Sequence, residues 1–163
     1  MSELHKVKRT LRCVAGGRVI PLAQLTGANQ RCYGSSGFAV LPPLWEGTFI
    51  EWFMPHEVSV HAPADSVVIS IGEEMMFRTG DGISIVVAPG VSFGCMCKVG
   101  EKVRAGELVC MIPRERLYTN GSNGAIIVAL PDLSRVTELH VVSGVRKAGR
   151  EAAFYKLRLL DSP

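Results

Sequence analysis

No part of this sequence reaches the run of about 18 apolar residues that a membrane-spanning helix requires, and the charged opening MSELHK is followed by no apolar stretch of the signal-peptide kind. The expected location is cytoplasmic. Cysteine is sparse: Cys13, Cys32, Cys95, Cys97 and Cys110 are five, an odd number at irregular spacing, which argues against a disulfide framework. An excess of one charge is also missing. The 18 basic and 15 acidic residues leave a net charge of only +3, too mild and too mixed to single out nucleic acid. The densest basic stretch, KVKRTLR (6–12), reads as a solvated surface, and basic and aromatic residues are not interleaved in the nucleic-acid manner. Histidine is limited to His5, His56, His61 and His140. What remains is a chain of 163 residues that is 47% apolar and 20% charged, enough for one domain over 1–163 with its own core. It has no low-complexity tract and no linker.

Short apolar stretches recur every 8 to 12 residues between glycines and prolines: RVIPL (18–22), GFAVLP (37–42), TFIEWF (48–53), EVSVHA (57–62), SVVISI (66–71), ISIVVA (83–88), ELVCMI (107–112), GAIIVAL (124–130) and YKLRLL (155–160). Many of their residues are β-branched, which suits a pleated, half-buried surface. The spacing predicts an all-β fold: a compact antiparallel β-sandwich, or barrel-sandwich hybrid, with one short helix. Alternation is clear in Val58-Ser59-Val60 and Ile83-Ser84-Ile85 and fades where both faces are covered. The helix is expected over Leu133 to Leu139, capped by Asp132, with Leu133, Val136 and Leu139 as its apolar stripe. A turn device lies in VGEKVRAGEL (99–108), where Gly100 and Gly106 permit tight turns and Val99, Val103 and Leu108 supply apolar anchors.

Taken in order, the segments VAGGRVIPLAQL (14–25), GSSGFAVLP (34–42), HAPADSVVISI (61–71), GDGISIVV (80–87), FGCMCKVGEKVRAGELV (93–109), GAIIVALPDLSRVTEL (124–139) and SGVRKAG (143–149) resemble the glucose-type IIA domain of the bacterial phosphoenolpyruvate-dependent sugar phosphotransferase system. Ser66 stands where that family usually has glycine. The resemblance implies a β-sandwich whose reactive histidine takes a phosphoryl group from a histidine-containing carrier protein. That histidine passes the group to a sugar-specific transporter domain, with a second histidine holding the phosphate. One imidazole nitrogen attacks phosphorus while the other is fixed by a hydrogen bond.

The phosphohistidine position falls on Ala88, and the second-histidine position on Met75 or Met76. A methyl group has no lone pair, and a thioether is a weak acceptor. The family's threonine-bearing continuation is absent too, because Pro89-Gly90-Val91-Ser92-Phe93 reaches the next segment several residues early. Glu73 and Glu74 add negative charge that opposes a phosphate. The expectation is a diverged IIA-like protein without phosphotransfer, acting as a protein- or ligand-binding or regulatory module. The alternative is an active phosphocarrier of sugar uptake using a non-family histidine, His61 being the candidate acceptor. The expected partner is a protein, either a phosphotransferase component or a second copy of the chain. The candidate binding surface is Trp45, Phe49, Trp52 and Phe53 with Val87 and Phe93, since tryptophan is favoured in protein contacts. The competing reading of the aromatic segment is an enlarged core.

No cofactor is implied. Cys95 and Cys97 share a face if they lie on a strand, but zinc wants four ligands and no second close pair exists, so no metal site is assigned. Biotinyl and lipoyl carriers share the V-x-x-G turn pattern, yet EEMMFR (73–78) carries no lysine between its methionines. The histidine-x-histidine of related zinc endopeptidases is absent as well.

Overall fold

The computed structural model describes residues 6–25, 36–42, 57–118 and 124–158. Within them the chain forms fourteen strands: β1 Lys6–Arg12, β2 Gly17–Pro21, β3 Gly37–Leu41, β4 Glu57–His61, β5 Ser66–Ile71, β6 Met75–Thr79, β7 Ser84–Ala88, β8 Gly94–Cys95, β9 Lys102–Val103, β10 Leu108–Pro113, β11 Ile126–Ala129, β12 Val136–Val141, β13 Gly144–Arg146 and β14 Glu151–Arg158. Every strand pairing among the described residues is antiparallel. The strands make an eight-stranded sheet in the order β13-β2-β3-β11-β7-β6-β5-β9 and two three-stranded sheets, β1-β14-β12 and β4-β10-β8. The fold is all-β, as the strand spacing predicts.

All three sheets turn one face toward a common core, which gathers Leu11, Tyr155 and Leu157 from one small sheet, Val58, Val60 and Cys110 from the other, and Phe38, Phe77, Ile85 and Val128 from the large one. The period-2 pattern does this directly. In β14, Ala153, Tyr155 and Leu157 are buried while Lys156 and Arg158 are exposed. In β4, Val58 and Val60 point in. Removing a phenylalanine such as Phe38 or Phe77 from water stabilises the fold by roughly 1.5–3 kcal/mol. Strand β11 is buried at all four positions. Its sequence therefore runs apolar without alternation, as a strand covered on both faces must.

The helix expected over Leu133 to Leu139 does not form. Asp132 does accept a backbone hydrogen bond, from the Ser134 N–H at 3.0 Å, but this closes a turn rather than capping a helix. Leu133 is 42% exposed, and Val136 begins β12. A register shift between Val136 and Glu138 explains the misleading pattern. A β-bulge inserts one residue, so positions three apart fall on the same side of a strand. Val136 and Leu139 thereby both pack against the core. The helical segments among the described residues are 3-10 turns at Leu22–Gln24 and Arg114–Tyr118.

The turn device of 99–108 is present. Gly100 and Gly106 adopt φ of 91° and 87°, a left-handed conformation that favours glycine. Their N–H groups donate to Val68 O at 2.7 Å and Ala62 O at 2.9 Å, and Asp65 Oδ1 accepts the Ala105 N–H at 2.7 Å. Val103 is the buried anchor, whereas Val99 (60% exposed) and Leu108 lie at the surface. The hairpin joining β6 to β7 is clipped by charge. Arg9 Nε donates to Asp81 Oδ2 at 2.7 Å and Arg9 Nη2 to Oδ1 at 3.3 Å, while Arg135 Nη1 donates to the Asp81 carbonyl. The hydrogen bond from Arg9 holds the Asp81 carboxyl below its usual pKa and raises that of the guanidinium.

Candidate functional site

Ala88 is the last residue of β7, which lies between β11 and β6 inside the eight-stranded sheet. Strand register fixes what surrounds it. Ala88 pairs with Ile127, Ile127 with Ala39, and Ala39 with Ile20, so one row of apolar side chains crosses four strands. The neighbouring row on the same face is Ala129, Val86 and Met76. Directly opposed residues in an antiparallel pair share a face, and alternate residues along a strand return to it. Met76 therefore lies on the Ala88 face. Met75, paired with Val87, lies on the opposite face and is completely buried in the main core. Of the two candidate positions for a second histidine, only Met76 lies on the face of Ala88.

Val87 was a candidate for the binding surface, and here the structure corrects the sequence reading. Val87 is fully buried in the interior, because its parity is that of Met75 and Val128. Phe93 is half-buried against the same core. Trp45, Phe49, Trp52 and Phe53 lie outside the described residues.

The face carrying Ala88 forms a second apolar cluster of Leu22, Leu25, Ala39, Val86, Ala88, Ala125, Ile127 and Ala129, with Ile20, Leu41 and Met76 partly buried against it. Leu22 belongs to the 3-10 turn after β2, and Leu25 follows it directly. Ala88 is 2% exposed. Among the described residues, neither a proton donor nor a nucleophile belongs to this cluster. Glu74 immediately precedes β6, just beyond the last β6–β7 pair, Met75 with Val87.

The described histidines sit elsewhere. His61 ends β4, in a different sheet from Ala88, and its Nδ1 lies 2.9 Å from Gly106 O. His140 is in β12, and its ring stacks on Phe154 with centroids 4.9 Å apart. Lys8 Nζ lies 4.2 Å from the centre of the same Phe154 ring. Each imidazole has a structural partner, and neither lies on the Ala88 face. His5 and His56 lie outside the described residues.

Strand pairing brings three of the cysteines close together. Cys110 stands directly across from Cys95 in the β10–β8 pair, and the Cys95 and Cys97 sulfurs are 3.7 Å apart. Among the described residues no group of three or more histidine, cysteine or carboxylate side chains is arranged to hold a metal ion. No helix among them is long and apolar enough to cross a membrane.

No family model matches the sequence, and no curated protein matches it. The fold, however, is similar to the solved structure of the glucose permease IIA from Mycoplasma capricolum. The superposition covers 91% of this chain and 96% of that one, with a TM-score of 0.66 and 17% sequence identity. At that identity the likeness is one of fold.

Proposed function

We propose that this chain is a diverged IIA-like protein of the cytoplasm that keeps the scaffold without phosphotransfer and works as a protein-binding or regulatory module. One observation carries the reading: Ala88, where the resembled family has its phosphohistidine, is a methyl group buried among Val86, Ile127 and Met76. Phosphoryl transfer needs a nucleophile in line with phosphorus and donors around the equatorial oxygens. Among the described residues, the apolar cluster around Ala88 includes neither. The likeness to a glucose permease IIA supports a protein as the partner, since a IIA domain of that family works by docking to proteins on either side of it in a relay.

The test is incubation with phosphoenolpyruvate and the two general upstream proteins of a phosphotransferase system, followed by intact-mass measurement at neutral or basic pH. The expected result is no added phosphate. A stoichiometric phosphate mapped to His61 or His56 would overturn the proposal and make the chain a phosphocarrier with a displaced acceptor.

A further inference from the structure

We propose that Cys95 and Cys97 form a thiol–disulfide exchange site, in which Cys95 attacks a small disulfide and Cys97 resolves the adduct into an intramolecular Cys95–Cys97 disulfide.

The geometry begins with β8, a two-residue strand at the edge of the β4-β10-β8 sheet. The segment is held to β10 by pairing of Cys95 with Cys110 and by the Met96 N–H donating to Val109 O at 2.8 Å. Alternation turns Met96 outward, where it is 60% exposed. It turns Cys95 and Cys97 the other way, and both sulfurs lie 3.8 Å from the Val109 carbonyl oxygen. The two sulfurs are 3.7 Å from each other, and the Cys95 thiol also reaches the Cys97 carbonyl at 3.2 Å.

The two thiols are not equivalent. Cys95 is exposed and Cys97 is buried. Only Cys95 is open to a reagent, and Cys97 waits within reach of the sulfur that the reagent modifies. Burial, and then the hydrogen bond with Cys95, push the Cys97 thiol pKa up, so it remains a protonated donor beside its neighbour. The third sulfur, on Cys110, is more deeply enclosed. Burial pushes its pKa to about 12, as it does that of Cys97, so the 3.7 Å sulfur–sulfur contact with Cys95, not acidity, makes Cys97 the resolving thiol.

The exchange balances with a small disulfide as oxidant. The Cys95 thiolate attacks one of its sulfurs, a mixed disulfide forms, and the first small thiolate leaves with the electron pair and takes up a proton. Cys97 gives up its proton to solvent and attacks the Cys95 sulfur. The mixed disulfide breaks, and the second small thiol leaves. In total, two cysteine thiols lose two electrons and two protons, and the small disulfide becomes two thiols.

The experiment exposes the full-length protein to oxidised glutathione at neutral pH, quenches it in acid, alkylates free thiols and digests it with trypsin. Cys95 and Cys97 fall in one tryptic peptide, 79–98, and Cys110 falls in another, 105–114. The expected product is peptide 79–98 lacking two hydrogens and carrying no glutathione, restored by a reducing thiol. Cys97→Ser should instead accumulate glutathione on Cys95, Cys95→Ser should leave peptide 79–98 unmodified, and Cys110→Ser should behave as wild type. Three results would overturn the proposal: stable glutathione on Cys95 of the wild type, a disulfide joining 79–98 to 105–114, or no reaction while circular dichroism shows the protein folded.

Discussion

Replacing Ala88 with histidine supplies the ring that phosphotransfer would need, at a position the structure buries. The position is 2% exposed, and its same-face neighbours Val86, Ile127 and Met76 are apolar. Two costs follow. Forcing a larger side chain into a filled site costs typically about 1–3 kcal/mol. A buried ring nitrogen without a hydrogen-bond partner adds about 1–3 kcal/mol. Their sum, about 2–6 kcal/mol at about 2–4 °C per kcal/mol for a chain of this size, lowers the melting temperature by roughly 4–24 °C. Ala88→Val separates the two terms, because it adds bulk without a polar atom and should fall between wild type and Ala88→His. Thermal melts followed by circular dichroism measure all three. Ala88→His should also remain unphosphorylated by the upstream proteins, since Met76 offers no second imidazole. The reasoning is refuted if Ala88→His melts with the wild type and its ring reacts with diethylpyrocarbonate as readily as free imidazole, because Ala88 would then face an open cleft.

The Arg9–Asp81 pair sets an acid dependence. Its hydrogen bond lowers the native Asp81 pKa, so the stabilisation is fully present above the unfolded value of about 3.9 and is lost as pH falls through the lower native value. With the Arg9 side chain 42% exposed, solvent screening limits the pair to about 1 kcal/mol. Asp81→Asn should therefore melt about 2–4 °C lower near neutral pH and together with wild type in strong acid; a gap that persists in acid would assign the loss to something other than the charge. The aromatic segment 45–54 is expected to mediate association, so sedimentation velocity should show Trp52→Ala shifted toward monomer with an unchanged far-ultraviolet spectrum. A wild-type chain that never associates, with Trp52 shielded from quenchers, would place that side chain in the core.

Much of the fold is legible because its strands obey one local rule. Val58 and Val60, or Tyr155 and Leu157, alternate with polar residues, and each pair points into the core. The paired glycines at 100 and 106 are legible for a different reason, since few other residues accept the φ they adopt. The segment 132–139 fails because its pattern is ambiguous. A spacing of three is the helical signature in a continuous helix and the bulge signature in a strand, and only the pairing with β14 decides between them. Val142, next to β12, donates to Ala152 O at 2.8 Å, so the chain remains tied to that strand to its end.

The site is less legible than the fold because it depends on parity and cover. Sequence similarity could place the second histidine's equivalent only at Met75 or Met76, a difference of one residue. One residue is the whole distance between the two faces of a sheet. Register separates the two: Met76 opposes Val86, and Val86 has the parity of Ala88, so Met76 shares the Ala88 face and Met75 does not. Cover is harder still to read. An alanine at a strand end is compatible with an open cleft or a filled one, and nothing in ISIVVA distinguishes them. The filling includes Leu22 and Leu25, more than sixty residues earlier in the chain. A phosphoryl site must stay open to a partner's phosphate, whereas here leucine packing closes the face over small side chains. Under the proposed function, the missing imidazole and the apolar cover are two separate obstacles to phosphotransfer, and adding the ring alone would remove only the first.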